Sequence, residues 1–223
     1  MAYGEHWEWR GFGNLSSAIR AQIEQLPLTY PAGGKKTVDQ YLWVPGCEVN
    51  VKIRDQDLKF KYLLETQAGG FERWRELQTD QHGFPLKPEA VAKLQQGLGT
   101  VLPMDSAGEV KDLQALVAIL PRCTPPVILV TIDKFRTTYT VEATGDKVLV
   151  ELADIKNTSI NDVTTAQALS TVNIECGDLT AGRRMHEALG LPGSLRVENY
   201  LQFVVALVQA GVLVQPTSQR VQP

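Results

Sequence analysis

At 223 residues the chain is long enough to bury a proper core, as one large domain or two small ones. Its 43% hydrophobic and 21% charged content is that of an ordinary globular protein, not a disordered or fibrous one. Lysine and arginine total 22 against 25 aspartates and glutamates, a net charge of -3, which argues against a nucleic-acid partner because phosphate neutralisation needs a basic surface.

The first predicted strand covers residues 5–12, with His6, Glu8 and Arg10 on one face and Trp7 and Trp9 on the other. Asn14 or Ser16 can cap a helix running to Leu26, with Leu15, Ala18, Ile19, Ile23 and Leu26 at helical spacing. Pro27, Pro31, Gly33 and Gly34 read as a loop, and Tyr41 to Val44 as a short apolar run stopped by Pro45-Gly46. Residues 48–65, EVNVKIRDQDLKFKYLLE, form a hairpin pattern about Asp55-Gln56-Asp57. Val49, Val51, Ile53, Leu58, Phe60 and Tyr62 alternate with Lys52, Arg54, Lys59 and Lys61, so one face is cationic. A lysine-rich edge strand would look similar. In 71–77, FERWREL, the residues Glu72, Trp74 and Glu76 alternate with Arg73 and Arg75, either a charged strand face or a solvated one.

Pro88-Glu89 suits the first turn of a helix to Leu98, and a second helix is expected over 109–120. Together they predict a helical insertion around 86–121 within a single domain spanning 1–223. The longest strand-like run, 127–141, places Ile132, Lys134, Arg136 and Thr138 at one parity. A return strand over 148–154 and a last strand over 172–176, with Asn173 and Glu175 on one face, precede amphipathic helices over 179–189 and 197–208.

Collected by parity, the strand faces carry seven cations, Arg10, Lys52, Arg54, Lys59, Lys61, Lys134 and Arg136, beside the acids Glu8, Glu151 and Glu175. If those faces converge, the fold is α+β: an antiparallel β-barrel with a polar, charged tunnel for a lumen and helices packed outside its apolar faces. Burying so many like charges unpaired is prohibitive, so the lumen must be wet or hold an anion. A triphosphate or other small-molecule polyanion meets that demand, with arginine forks and lysine point charges on its oxygens. The carboxylates Glu8, Glu151 and Glu175 would then hold Mg²⁺ or Mn²⁺. In that reading, removing Arg54 or Lys134 weakens anion binding far more than stability. A weaker alternative turns the charges outward and lines the barrel with Trp7, Trp9, Trp43 and Trp74 for an apolar ligand.

The order of these elements over almost the whole chain resembles the triphosphate tunnel metalloenzymes, or CYTH superfamily. The resemblance is carried by His6-Trp7-Glu8-Trp9-Arg10, Lys52-Ile53-Arg54, Leu58-Lys59-Phe60-Lys61, Lys134 with Arg136 and Tyr139, the 148–154 strand, Asn173-Ile174-Glu175, and Asn199-Tyr200 before an apolar helix. It implies divalent-metal-dependent hydrolysis of an inorganic or organic triphosphate such as tripolyphosphate or thiamine triphosphate, or cyclisation of ATP. Two departures stand out. The family's opening Glu-x-Glu-x-Lys is here His6-x-Glu8-x-Arg10, and its late Glu-x-Glu is Asn173-x-Glu175. His6 reads as a hydrogen-bonded strand histidine, with a metal ligand in a carboxylate's place as the alternative. The missing acids also allow a non-catalytic module that binds a polyphosphate or nucleotide.

Cys47, Cys123 and Cys176 are odd in number and widely spaced, which predicts reduced thiols and a cytoplasmic protein. The start MAYGEHWEWRGFG lacks a signal-peptide pattern, and the apolar run 200–214 is too short to span a bilayer, so no membrane partner is expected.

Overall fold

The computed structural model describes residues 4–104, 108–143, 145–165 and 169–214. Along the chain come β1 (Gly4–Gly13), α1 (Ser17–Glu24), β2 (Leu28–Trp43), β3 (Val49–Arg54), β4 (Asp57–Thr66), β5 (Glu72–Glu76) and β6 (Gln81–Gly83). Then follow α2 (Pro88–Leu98), α3 (Leu113–Ile119), β7 (Ile128–Ala143), β8 (Asp146–Ile160), β9 (Val163–Thr165), β10 (Leu169–Cys176), α4 (Leu179–Leu189), β11 (Arg196–Val197) and α5 (Tyr200–Val214).

Strands pair antiparallel in the order β8, β10, β1, β5, β4, β3, β2, β7, and β7 pairs back onto β8. The result is a closed eight-stranded antiparallel barrel, and closure leaves these strands no free edge. Three short strands sit outside the ring: β6 on β4, β9 on β8 and β11 on β1.

Strand alternation sorts the residues between outside and lumen. Val51, Ile53, Leu58 and Phe60 face outward and pack with Leu94 and Leu98 of α2 and Leu116 of α3. On the other side Trp9, Val148, Val150, Val172 and Ile174 pack with Ile23 of α1 and Met185 and Leu189 of α4. Helix α4 can lie this close because Gly182 has no side chain. A Cβ there would come within 2.5 Å of Cys176 Sγ and 3.0 Å of the Phe71 ring. The fifth helix is placed differently. Tyr200, Phe203, Val204 and Val208 pack with Phe12, Tyr41, Trp43, Val130, Ile132 and Ile155, which continue the lumen-facing parity of their strands, so α5 stoppers one end of the barrel.

Local chemistry sets the helix starts. Ser16 accepts from Ile19 N at 3.3 Å, Asp112 from Ala115 N at 2.8 Å, and Asp178 from Thr180 N and Ala181 N, each at 3.2 Å. Because Asp112 is the cap, α3 begins at Leu113 and not at the expected Glu109. Helix α5 begins at Tyr200, later than expected, since Arg196 and Val197 pair with β1. Asn199 and Gln202 close a capping box, each side-chain oxygen accepting from the other's backbone N–H at 2.9 Å.

From Leu28 on, the expected loop is instead the first part of β2, paired to β7 through two register irregularities between Leu28 and Gly33. A proline without a donor is tolerated at such bulges. Gly34 also leaves room for the Phe135 ring, whose Cζ would stand 2.9 Å from a Cβ at that position. The β3–β4 hairpin turns on Asp55 and Gln56 alone, both with positive φ (53° and 69°), the geometry of a two-residue loop matched to strand twist. Among the described residues no helix is long and apolar enough to cross a membrane.

Leu94 is 0% exposed in the layer that joins α2 to the barrel. Leu94→Ala is expected to lower the free energy of unfolding by about 2 to 5 kcal/mol, read by urea denaturation. A loss under about 1 kcal/mol would show that this layer is not part of the core.

Candidate functional site

The lumen-facing side chains meet in one cavity. It has about 600 Å³ of atom-free space with its open mouth included, and is lined by Arg10, Lys52, Arg54, Lys61, Lys134 and Arg136 with Glu8, Glu76, Glu151 and Glu175. Asn50, Asn173, Asn199, Tyr41, Trp74 and Tyr200 complete the wall. The arrangement the apolar-ligand reading requires, charges outward, is not the one found. Lys59 is the sequence-predicted residue that does not line the cavity. It lies directly opposite Lys52 in the β3–β4 register, half-buried, two residues from the Asp57 that ends the pairing.

Most of the cations are paired. Asp39 on β2, 0% exposed, receives a two-pronged contact from Arg54 Nε and Nη2 and lies 3.1 Å from Lys134 Nζ. Burial would raise its pKa, but Lys134 and Arg54 outweigh that and hold the carboxyl well below the usual range. Glu8 accepts from Lys61 and, at 3.2 Å, from Arg10. Its pKa is likewise held low against burial, chiefly by Lys61. Glu151 takes Arg10 at 3.4 Å on one oxygen and Arg136 at 3.0 Å on the other, and is held at about 2 against burial by Lys134, Arg10 and Arg136. Arg10 also donates to Thr171 Oγ1 at 2.8 Å.

Tyr200, the first residue of α5, reaches into this network. Lys134 Nζ donates to its hydroxyl at 2.9 Å, and Lys134 and Arg10 stand 4.1 and 4.5 Å from its ring centre. Lys52 is the exception among the cavity cations, with no ion pair or hydrogen bond among the described residues. Burial and then the neighbouring Arg54 depress its pKa to about 7.

Three side chains can share a metal ion: His6, Glu8 and Glu175, whose ligand atoms all lie within 4.8 Å of one another. Residues 6 and 8 share a face of β1, and Glu175 stands directly opposite Glu8 on β10. His6 is 6% exposed, and neither ring nitrogen has a hydrogen-bond partner. The histidine is therefore not the hydrogen-bonded strand residue expected from the sequence. Two ionisable carboxylates and a free imidazole suit a divalent ion. Glu151 is not in this group, and its oxygens are held by Arg10 and Arg136.

Several residues of the site are not legible as such in the sequence. Asp39, behind the lining cations, belongs to a stretch that reads as a strand only from Tyr41, although Thr37, Asp39 and Tyr41 are all buried at one parity. Glu76 and Trp74 were visible as an alternation whose direction was open. Glu72, beside them, is anchored by Trp74 Nε1 at 3.1 Å and Asn199 Nδ2 at 2.9 Å, and burial raises its pKa.

A comparison with solved structures now bears on the architecture. The protein HpAC1 from Hippeastrum, named for adenylyl cyclase and described as revealing a dominant triphosphatase activity, superposes with a TM-score of 0.50 at 11% identity over 92% of this chain and 96% of its own. The barrel has the triphosphate tunnel fold. A conserved hypothetical protein from Pyrococcus furiosus superposes with a TM-score of 0.47 at 14% identity, over 87% of this chain and 98% of that one. No protein-family model and no curated protein matches the sequence. Within the tunnel, the six lining cations face four carboxylates, with Asp39 behind them, so the lumen is less positive than the strand faces alone suggested.

The pairing with Asp39 runs against the expectation that removing Arg54 or Lys134 weakens anion binding far more than stability. Either change strips Asp39 of a partner. Asp39→Asn, which leaves two buried cations without their anion, is expected to destabilise the protein by about 3 to 5 kcal/mol in chemical denaturation. Lys52→Met should do the opposite near pH 7. A lysine whose folded pKa lies near 7, below its unfolded value, carries a burial penalty that is full below pH 7 and fades as pH rises through the window up to about 10.4. The wild-type chain therefore gains stability across that window relative to Lys52→Met. Parallel pH profiles for the two would refute the assignment.

Proposed function

We propose that this protein binds a triphosphate in the tunnel and hydrolyses it with a divalent metal ion, Mg²⁺ or Mn²⁺. The observation that carries the reading is Lys52, half-buried and facing the cavity between Arg54 and Lys61 with no ion pair or hydrogen bond among the described residues. Such a charge is costly until an anion arrives. Arg10 supports it with a buried Nε that has no partner, and the arginines retain further N–H donors beyond those used on Glu151 and Asp39. The superposed HpAC1 is described as having triphosphatase activity, which agrees with this reading.

In this proposal Arg10, Lys52, Arg54, Lys61, Lys134 and Arg136 bind and orient the phosphate chain, Lys59 guides it at the mouth, and Tyr200 fixes Lys134 and Arg10. Glu8 and Glu175, with His6, hold the metal, and Glu151 aims Arg10 and Arg136. A bound divalent ion supplies charge withdrawal from the phosphate oxygens and a template for the attacking water. Positioning and neutralisation carry most of such a reaction, so little covalent help from the protein is required. The ligand is a small polyanion and not a nucleic acid or a membrane. The free Cys47, Cys123 and Cys176 fit a reducing compartment such as the cytoplasm.

The test is phosphate release from tripolyphosphate, ATP and thiamine triphosphate with Mg²⁺ or Mn²⁺, at high enzyme concentration. Turnover of any of them supports the hydrolase; none, with tripolyphosphate still binding in EDTA, means a non-catalytic polyphosphate module. A second reading attaches to Lys52. Anion binding at pH 8 should take up close to one proton, since the anion restores the ammonium. Calorimetry in buffers of different ionisation enthalpy measures that uptake, and Lys52→Met should abolish it while weakening tripolyphosphate affinity about ten-fold or more.

A further inference from the structure

We propose that the His6, Glu8 and Glu175 cluster is a mixed nitrogen and oxygen site that selects a transition ion of the Mn²⁺ and Zn²⁺ kind over Mg²⁺. This rests on the metal part of the function proposed above and narrows it. The geometry is already close to what one ion needs. His6 Nε2 lies 3.8 Å from Glu8 Oε2 and 3.8 Å from Glu175 Oε1. Those separations are too long for hydrogen bonds. Ligand atoms bound at 2.0 to 2.2 Å to one ion stand about 3 to 3.5 Å apart, so the two His6 separations are within a few tenths of an ångström of that spacing, and all three ligand atoms lie within 4.8 Å of one another.

Two features of the cluster point to a ligand here. The first is the imidazole itself: it is nine-tenths buried, stands 3.8 Å from two carboxylates, and neither nitrogen is within hydrogen-bond distance of a partner. Buried polar atoms in folded proteins are nearly always bonded, and an orphan of this kind calls for an occupant. The second is the way Glu8 is held. Lys61 holds one of its oxygens and Arg10 the other, which fixes the carboxylate beside His6 while each oxygen retains lone-pair capacity for a metal.

Selectivity follows from the donor set. Mg²⁺ is hard, gives up its water reluctantly and is bound through charged oxygens. Replacing one oxygen donor by a neutral nitrogen removes charge, and two cations nearby weaken the field further. Mn²⁺ and Zn²⁺ accept imidazole, and affinity for nitrogen-containing sites rises along the series toward Zn²⁺. The carboxylates keep the site from becoming one for soft metals, which prefer thiolates.

The experiment uses the full chain stripped with a chelator, with no phosphate compound present. Mg²⁺, Mn²⁺ and Zn²⁺ are each titrated by calorimetry, and the Mn²⁺ form is measured by electron spin echo spectroscopy for coupling to ¹⁴N. One ion per chain is expected, with Mn²⁺ and Zn²⁺ binding about ten-fold or more tighter than Mg²⁺, and a directly bound imidazole nitrogen in the Mn²⁺ spectrum. His6→Glu should erase the nitrogen coupling and narrow the preference for Mn²⁺ over Mg²⁺; the wild-type spectrum decides the matter if that variant does not fold. Bound Mn²⁺ without nitrogen coupling, or Mg²⁺ binding within about three-fold of Mn²⁺, overturns the inference and leaves the metal site standing. If none of the three ions binds, the inference and the metal part of the proposed function fall together, whereas tripolyphosphate binding in EDTA is judged separately.

Discussion

The constraint on which the structure depends is charge neutrality inside a closed barrel. An eight-stranded ring of this size turns every second side chain toward a narrow interior, where an unpaired ion is several kcal/mol less comfortable than in water. Asp39 answers the deepest part of the problem. Fully buried, it accepts from two nitrogens of Arg54 and stands beside Lys134, itself 1% exposed. Glu8 and Glu151 repeat the solution for Lys61, Arg10 and Arg136. The interior is thus a lattice of alternating charges in which Lys52 alone among the cavity cations has no ion pair among the described residues.

Alternation made the barrel readable. The two-residue period of β1, β3 and β4 is strict, and apolar outward faces against polar inward ones show in the letters themselves. Ser16 and the proline at the start of α2 marked helix starts for the same reason that they make a good cap and a good first turn. What could not be read was anything decided by pairing. Residues 27–34 carry the composition of a turn, and only the long partner β7 draws them into a strand.

The site shows the same division. Lysines and arginines announce themselves by parity, but their partners do not. Asp39 lies in a segment whose strand character depends on β7, and Glu76 sits on a strand whose two faces both carry charge. The grouping of His6 with Glu175 is a matter of register: residues 169 apart in sequence meet because β1 closes against β10. Glu151 illustrates the reverse. Its acidity suggested a metal ligand, and only the positions of Arg10 and Arg136 show what its oxygens do.

Tyr200 binds two parts of the molecule that would otherwise be independent. It is the opening residue of α5, whose apolar side closes one end of the barrel, and its hydroxyl and ring touch Lys134 and Arg10 in the cavity. Seating of the stopper and alignment of the two cations are thus one equilibrium. By reciprocity, whatever steadies the cations also tightens the helix against its seat, and loosening the helix is felt at the far side of the tunnel as a loss of order in the charges.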